Sequence, residues 1–330
     1  MIKNILIITF LILFTSCKGG VDRSVIKSSP VKNISYYFSK RGVGIDDLIV
    51  DDIKGATSKV RVAIYNLSED KITNALIYAK NQGVDVKVVT EDSHKNNASF
   101  VTLRNNGILV YDDNKSSALM HDKFLVIDDK IVWSGSSNYT EDGFYNNNEN
   151  DVRIVDRDLA KVYSDEFDMI VAKNQQNHYF ESPNMKLYFS PRGGIESRLI
   201  SLINSANSSI EFLIFAFTSS KVADAIVDAE NNRSVEVMGV FDKVWDSGNQ
   251  AYSKYNYLKS RGIDVLRDSN PYTLHDKVMI IDDSIVITGS YNYTKSANNK
   301  NAENILILYD TEIAKKYKEE FEKIYSIGVD

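Results

Sequence analysis

One string of polar residues occurs twice in this chain. His121-Asp122-Lys123 leads through an apolar run to Asp128, then to Gly135-Ser136-Ser137-Asn138 and on to Glu149. His275-Asp276-Lys277 leads in the same way to Asp282, Gly289-Ser290-Tyr291-Asn292 and Glu303. Each copy reads H-x-K-x4-D-x6-G-S-x-N-x10-E, and the step between copies is the same at both ends (275 − 121 = 154; 303 − 149 = 154). A short H-x-K arises often by accident, but two ungapped copies of the whole string do not. The chain therefore has to fold as a repeated unit.

Strand geometry explains the spacing. Phe124 to Ile127 and Val278 to Ile281 are apolar and partly β-branched, so each reads as a buried strand. Residues two apart on a strand share a face, so His121 and Lys123 point one way, as do His275 and Lys277. Asp128-Asp129 and Asp282-Asp283 suit turns, with Ile131 to Ser134 and Ile285 to Thr288 as returning strands. Ser136 and Asn138, like Ser290 and Asn292, then return to the His-Lys end. An imidazole, an ammonium, a hydroxyl and an amide converging on one spot suit an oxyanion such as phosphate.

The rest of the chain repeats around these strings. Strands are predicted at Lys59 to Tyr65 and Ser209 to Phe215, then at Val84 to Val89 and Val235 to Phe241. Helices begin near Ser68 and Ser220; further helices lie at Asn97 to Asn105 and Gln250 to Ser260, closed by Gly107 and Gly262. Short strands follow at Ile108 to Tyr111 and Ile263 to Leu266, ahead of each His-Lys string. Strands Asp151 to Val155 and Asn304 to Tyr309, then helices from Asp158 and Thr311, finish each half. Gly44 and Gly194 also correspond. The expected fold class is α/β, as two tandem α/β units related by a pseudo-twofold axis. The first unit is expected at residues 36–174, a polar linker at 175–184 and the second unit at 185–330.

The N-terminus has a different character. Lys3 is the only charge in residues 1–16, and Ile5 to Phe14 is almost wholly apolar but too short for an ordinary membrane span. Thr15-Ser16 and then Cys17 follow. This segment resembles a bacterial lipoprotein signal, with Phe14 in the place usually held by leucine. The resemblance implies that Cys17 becomes a lipidated first residue anchored in the cell envelope. Cys17 is the chain's only cysteine, so no disulfide can form within it. Residues 17–35 read as a polar tether between anchor and domain.

Two equivalent halves, each with half a site, suggest one composite site in a single chain, an internal pseudo-dimer. Covalent cleavage of a phosphodiester benefits from two imidazoles: one attacks phosphorus and the other protonates the leaving oxygen. The duplicated H-x-K-x4-D string resembles the signature of the phospholipase D superfamily. Gly135 to Thr140 with Asn147 to Asn150, and Gly289 to Thr294 with Asn301 to Asn304, resemble its branch of Nuc-type endonucleases and mitochondrial cardiolipin hydrolases. The resemblance covers roughly Tyr37 to Tyr325 and implies α/β/α sandwich domains sharing one active site.

By position, the resemblance implies that one histidine forms a phosphohistidine while the other acts as acid and then as base. Family usage places the nucleophile at His121 and the acid at His275. Lys123, Lys277, Asn138 and Asn292 would hold the non-bridging phosphate oxygens, where charge gathers in the transition state. Glu149 and Glu303 would hydrogen-bond the far nitrogen of each imidazole, with Ser136 and Ser290 supporting that network. Asp128 and Asp282 would be structural turn residues. No cofactor or metal is implied; the acidic pairs Asp51-Asp52 and Asp112-Asp113 read as solvated turns. His94 and His178 fall outside the repeat and read as surface residues.

Substrate class is less constrained. The formal charge of −6 and pI near 5.4 fit poorly with gripping a polyanion along its length, although a local basic groove stays open. Together with the membrane-anchored N-terminus, this favours hydrolysis of phospholipid head-group esters. Cleavage of DNA or RNA is the second reading, and a non-catalytic surface binding protein the third.

Overall fold

The computed structural model describes residues 31–39, 44–113 and 117–330. The signal segment, Cys17 and most of the tether lie outside the described residues. Regular structure starts slightly earlier than the sequence suggests, with β1 at Ile34–Phe38. Val31 already donates its N–H to Asp310 Oδ2 at 2.7 Å, so this end of the expected tether is part of the fold.

The first half continues with α1 (Ile45–Lys54), β2 (Lys59–Ile64), α2 (Asp70–Asn81), β3 (Asp85–Thr90), α3 (Ala98–Asn105) and β4 (Leu109–Asp112). Then come β5 (Lys123–Ile127), β6 (Ile131–Gly135), β7 (Asn150–Val155) and α4 (Arg157–Val171). The second half opens with a short strand, β8 (Tyr179–Glu181), inside the stretch expected to be a linker. It pairs with β9 (Met185–Ser190) and widens the second sheet at its edge. There follow α5 (Ile195–Ser205), β10 (Ser209–Ile214), α6 (Ser220–Arg233), β11 (Glu236–Phe241), α7 (Lys243–Gly248), α8 (Tyr255–Ser260) and β12 (Asp264–Arg267). The chain ends with β13 (Lys277–Ile281), β14 (Ile285–Gly289), α9 (Lys295–Asn299), β15 (Glu303–Tyr309) and α10 (Thr311–Ser326).

The two sheets share one topology. The first runs β1-β7-β6-β5-β2-β3-β4, and the second β12-β11-β10-β13-β14-β15-β9-β8. In each, three strands joined by helices are parallel, and the hairpin that carries the His-Lys string adds antiparallel to them. β5 and β13 are buried along their whole length, which explains their unbroken apolar runs. Helices α1 and α5, unassigned from the sequence, begin after the matching Gly44 and Gly194. The cap of α2 is the Glu69 side chain rather than Ser68, whereas Ser219 caps α6.

Three apolar clusters divide the molecule. One fills the outer face of the first sheet under α1, α2 and α3, and another the outer face of the second sheet under α5, α6 and α8. The third joins the inner faces of both sheets through α4 and α10. It contains Val126, Val132 and Phe167 from one half with Val278, Val286 and Phe321 from the other. Burying each such side chain contributes about 1.5–3 kcal/mol, so the halves form one body. Among the described residues no helix is long and apolar enough to cross a membrane.

Candidate active site

The hairpins set the position of the repeated string. Asp128 and Asp129 both have positive φ, 52° and 46°, and Lys130 N–H closes the turn on Ile127 O at 2.9 Å. Asp282 and Asp283 do the same at 53° and 50°. Both central residues lie in the left-handed region, as a two-residue type I′ connection requires. The Asp128 carboxylate accepts the backbone N–H groups of Thr57, Ser58 and Lys59 at 2.8–2.9 Å. Asp282 accepts those of Asn207, Ser208 and Ser209. Against the opposing effect of burial, these bonds lower the carboxyls of both aspartates, Asp128 well below the usual range. Both therefore tie the far end of the hairpin to the start of a neighbouring strand.

At the near end, Gly135 and Gly289 are fixed by contact. A Cβ at either would overlap the backbone oxygen of Asn150 or Asn304, the residue directly after the glutamate. Ser136 and Ser290 sit beside that approach and accept the N–H of Asn150 and Asn304 at 3.0 and 3.1 Å. The Gly-Ser pair thus clamps the strand that begins at each glutamate.

Each glutamate serves the opposite half. His121 Nδ1 lies 2.7 Å from Glu303 Oε2, and His275 Nδ1 lies 2.9 Å from Glu149 Oε2. The backbones make the same exchange: His121 N–H donates to Ala302 O and His275 N–H to Asn148 O, both at 2.9 Å. Asn147 and Asn301 donate to Glu149 and Glu303. With Nδ1 as donor to a carboxylate, the proton belongs there and the Nε2 lone pair faces the site.

Lys123 and Lys277 are buried beside the imidazoles, and each ammonium donates to the carbonyl of the histidine two residues before it. Tyr65 lies under Lys123 and Phe215 under Lys277, each ring 5.2 Å from the ammonium. The same rings meet His121 and His275 edge-on at 5.0 and 4.9 Å. Burial lowers Lys123 to about 7 and Lys277 to about 8, against the pull of the glutamates. Burial lowers His121 to about 4, with Glu303 opposing and both lysines reinforcing. Burial, both lysines and His121 push His275 well below its usual value, and burial raises Glu149 to about 7. Each histidine feels the lysines of both halves, so the two strings form one site.

The site amides differ. Asn292 Oδ1 accepts Ala216 N–H at 3.3 Å, and Asn292 shares a cavity with His121 of the other half. Asn138 Oδ1 is buried without a hydrogen-bond partner. Outside the repeat, His94 is not simply a surface residue: its Nδ1 bonds Tyr65 O at 2.8 Å, and its ring packs edge-on against Tyr65. Trp245 takes the equivalent place beside Phe215 on α7, a helix the sequence reading missed. His178 bonds Glu166 at 2.5 Å and stacks on Phe189, so it is half-buried and structural. The aromatics one position beyond β2 and β10 were detectable as Tyr65 and Phe215 at matching places in the repeat.

Two intact His-Lys-Asn-Glu sets thus stand on a duplicated α/β fold, with each imidazole held by the glutamate of the opposite half. The chain belongs to the PLD-like family: the family described as "Cardiolipin synthase, PLD-like domain" matches residues 49–171 and 199–325. A phospholipase D of Rickettsia prowazekii is 34% identical over 134 residues, 41% of this chain and 64% of that protein. The mitochondrial cardiolipin hydrolase of Mus musculus is 37% identical over 129 residues, 39% of this chain and 57% of that protein. The chain therefore spans about three fifths of these curated relatives. The crystal structure of Nuc from Salmonella typhimurium, a phospholipase D family member, is similar at 33% identity with a TM-score of 0.42. That match covers 44% of this chain and 96% of Nuc.

Proposed function

We propose that the chain hydrolyses the head-group phosphodiester of phospholipids through a phosphohistidine intermediate. The exchanged imidazole–carboxylate pairs carry this reading. They orient two imidazoles through Nδ1, each beside a buried lysine that donates to its carbonyl. One imidazole attacks phosphorus and the other delivers a proton to the departing oxygen. In the second step that imidazole takes a proton from water, water attacks phosphorus, and the P–N bond breaks. Lys123, Lys277, Asn138 and Asn292 stabilise the charge on the non-bridging oxygens. One chain supplies both halves, so the working unit is a monomer. Relatives named phospholipase D and cardiolipin hydrolase support a lipid substrate, as does the acidic charge balance. The lipid anchor at Cys17, in this reading, keeps the enzyme beside its substrate.

The test is digestion of phosphatidylglycerol vesicles and of plasmid DNA by the purified protein in EDTA, with products separated by thin-layer chromatography and on gels. Phosphatidic acid and free head group are expected. Cut DNA with intact lipid would make the chain a nuclease. The lysines supply the charge that a metal would otherwise bring, so EDTA should leave the rate unchanged; loss restored by a divalent ion would overturn the mechanism.

A further inference from the structure

Inside the site the two halves match: Asn138, Thr140 and Asn147 correspond to Asn292, Thr294 and Asn301. Around it they do not. In the first half Glu69-Asp70, Asp92 and Glu141-Asp142 are exposed or half-exposed. The same repeat positions in the second half hold Ser219-Ser220, Lys243 and Lys295-Ser296, and Asn146 becomes Lys300. Lys95, the cation beside Asp92, is held by Asp92 at 2.6 Å and lies 3.6 Å from Asp112. Among the described residues Lys243, Lys295 and Lys300 form no ion pair. One rim of the site is therefore acidic and the other cationic.

The cationic rim adjoins the site directly. Thr218, Trp245, Thr294, Ser296 and Asn301 line the space beside His121. Lys243 lies two residues before Trp245, Lys295 stands between Thr294 and Ser296, and Lys300 precedes Asn301. This rim is also the more apolar. Ser93-His94 of the first half become Val244-Trp245 on α7, and Val244 is 69% exposed. The stretch that follows is four residues longer than its counterpart (241 − 90 = 151; 262 − 107 = 155). It carries Tyr252, 71% exposed, and returns to the site where Lys254 N–H donates to Phe217 O at 3.0 Å.

Resting on the reading of the chain as a phospholipid diesterase, we infer that this rim is the surface by which the protein meets an anionic bilayer. Val244 and Trp245 enter the head-group layer, and Lys243, Lys295 and Lys300 lie over the lipid phosphates. Lysines are drawn to an anionic surface within about a Debye length. Indole rings settle at the boundary of head groups and chains, and an exposed valine beside one leaves water in the same layer. Repulsion turns the acidic rim away, so the orientation is fixed and the lipid reaches the site from the α7 side. A nucleic acid suits the two rims less well. A diester within a strand continues on both sides of its phosphorus, so the strand would also cross the acidic rim. A lipid diester continues into the bilayer on one side only.

Tryptophan fluorescence tests this. The chain has two tryptophans, and Trp133 is buried and stacked on Tyr37, so Trp245 reports on the rim. Vesicles of phosphatidylcholine and phosphatidylglycerol with bromines high on the acyl chains should quench the unaltered protein, and Trp245→Phe should abolish the quenching. Cleavage of phosphatidylglycerol leaves phosphatidic acid, so the surface stays anionic throughout. A chain tethered by its N-terminus alone would bind such vesicles with Trp245 unquenched, and that would overturn the inference. Lys243→Glu with Lys295→Glu gives the second rim the acidic character of the first. It should lower kcat/KM on these vesicles about tenfold and leave bis-p-nitrophenyl phosphate, a soluble diester, unchanged. High salt should lower vesicle turnover by the unaltered protein in the same selective way. Equal losses on both substrates would place the lysines in the chemistry and overturn the inference. So would plasmid DNA shifting Trp245 emission where vesicles do not, which would make the rim a grip for nucleic acid. Quenching without cleavage of any lipid would leave the surface standing and overturn the proposed function.

Discussion

Under the proposed mechanism His121 and His275 cannot substitute for each other, because one site needs an attacker and an acid at once. His121→Ala and His275→Ala should each lower turnover of a natural diester by roughly a thousandfold or more, as loss of a reacting group does elsewhere. Two half-active variants would indicate two independent sites. The lysines set a second expectation. An ammonium is charged below its pKa and neutral above it, and burial has brought Lys123 to about 7 and Lys277 to about 8. Beyond the limb set by the acid imidazole, kcat/KM should therefore fall further as pH rises through 7 to 8, well before the ordinary lysine range, since this ratio reports the free enzyme. Initial rates between pH 5.5 and 10.5 would show it; a basic limb only above pH 10 would mean that the lysines keep their usual basicity.

At the scale of elements, the hairpin turn and the clamp around Gly135 and Gly289 do separate jobs. Asp128 lies at the end of β5 remote from His121 and holds the backbone of residues 57–59. Asp128→Ala should cost about 1–3 kcal/mol of stability while leaving kcat nearly unchanged below the melting transition. Equal stability with a large loss of kcat would place Asp128 in the chemistry. The strands and hairpins were legible because their signals are local: apolar runs, paired aspartates, matching glycines. The pairing of glutamate with histidine was not. Both glutamates stood out in the repeat, but which imidazole each meets depends on how β7 and β15 approach the opposite half, and no local pattern encodes that. Helix α7 was missed for another reason: Lys243 to Gly248 is short and has no counterpart in the first half, where a single turn at Asp92–His94 takes its place. Strand β8 escaped because three residues at a sheet edge carry almost no periodicity.

The whole molecule is joined through polar groups as well as through its apolar centre. Asn150 donates to Asp276 at 2.6 Å and Asn304 to Asp122 at 2.8 Å, each across the boundary between halves. Burial raises Asp276 to about 7 and lifts Asp122 well above its usual value. A carboxyl raised on folding adds stability in full below its ordinary value of 3.8, and that contribution is lost as pH climbs through the folded value. Asp276→Asn, which cannot ionise, should therefore gain in melting temperature over the parent as pH rises from 5 to 8. A constant difference across that range would mean that Asp276 titrates normally. The exchanged glutamates make a parallel prediction for activity. Glu303→Gln should lower kcat about a hundredfold by releasing His121 in the other half, with little change in melting temperature. Unchanged kcat would show that the carboxylate does not orient that ring.

The exchange also orders events during synthesis. His121 precedes Glu303 by 182 residues, so the first imidazole is made long before the carboxylate that orients it. Until β15 has been translated and docked, the emerging chain holds His121, its lysine and its amide in no working arrangement. Catalytic power arrives only with the last strand, when nearly the whole polypeptide exists. Under the proposed function, an enzyme built this way cannot act on the phosphodiesters around it until its synthesis is nearly done.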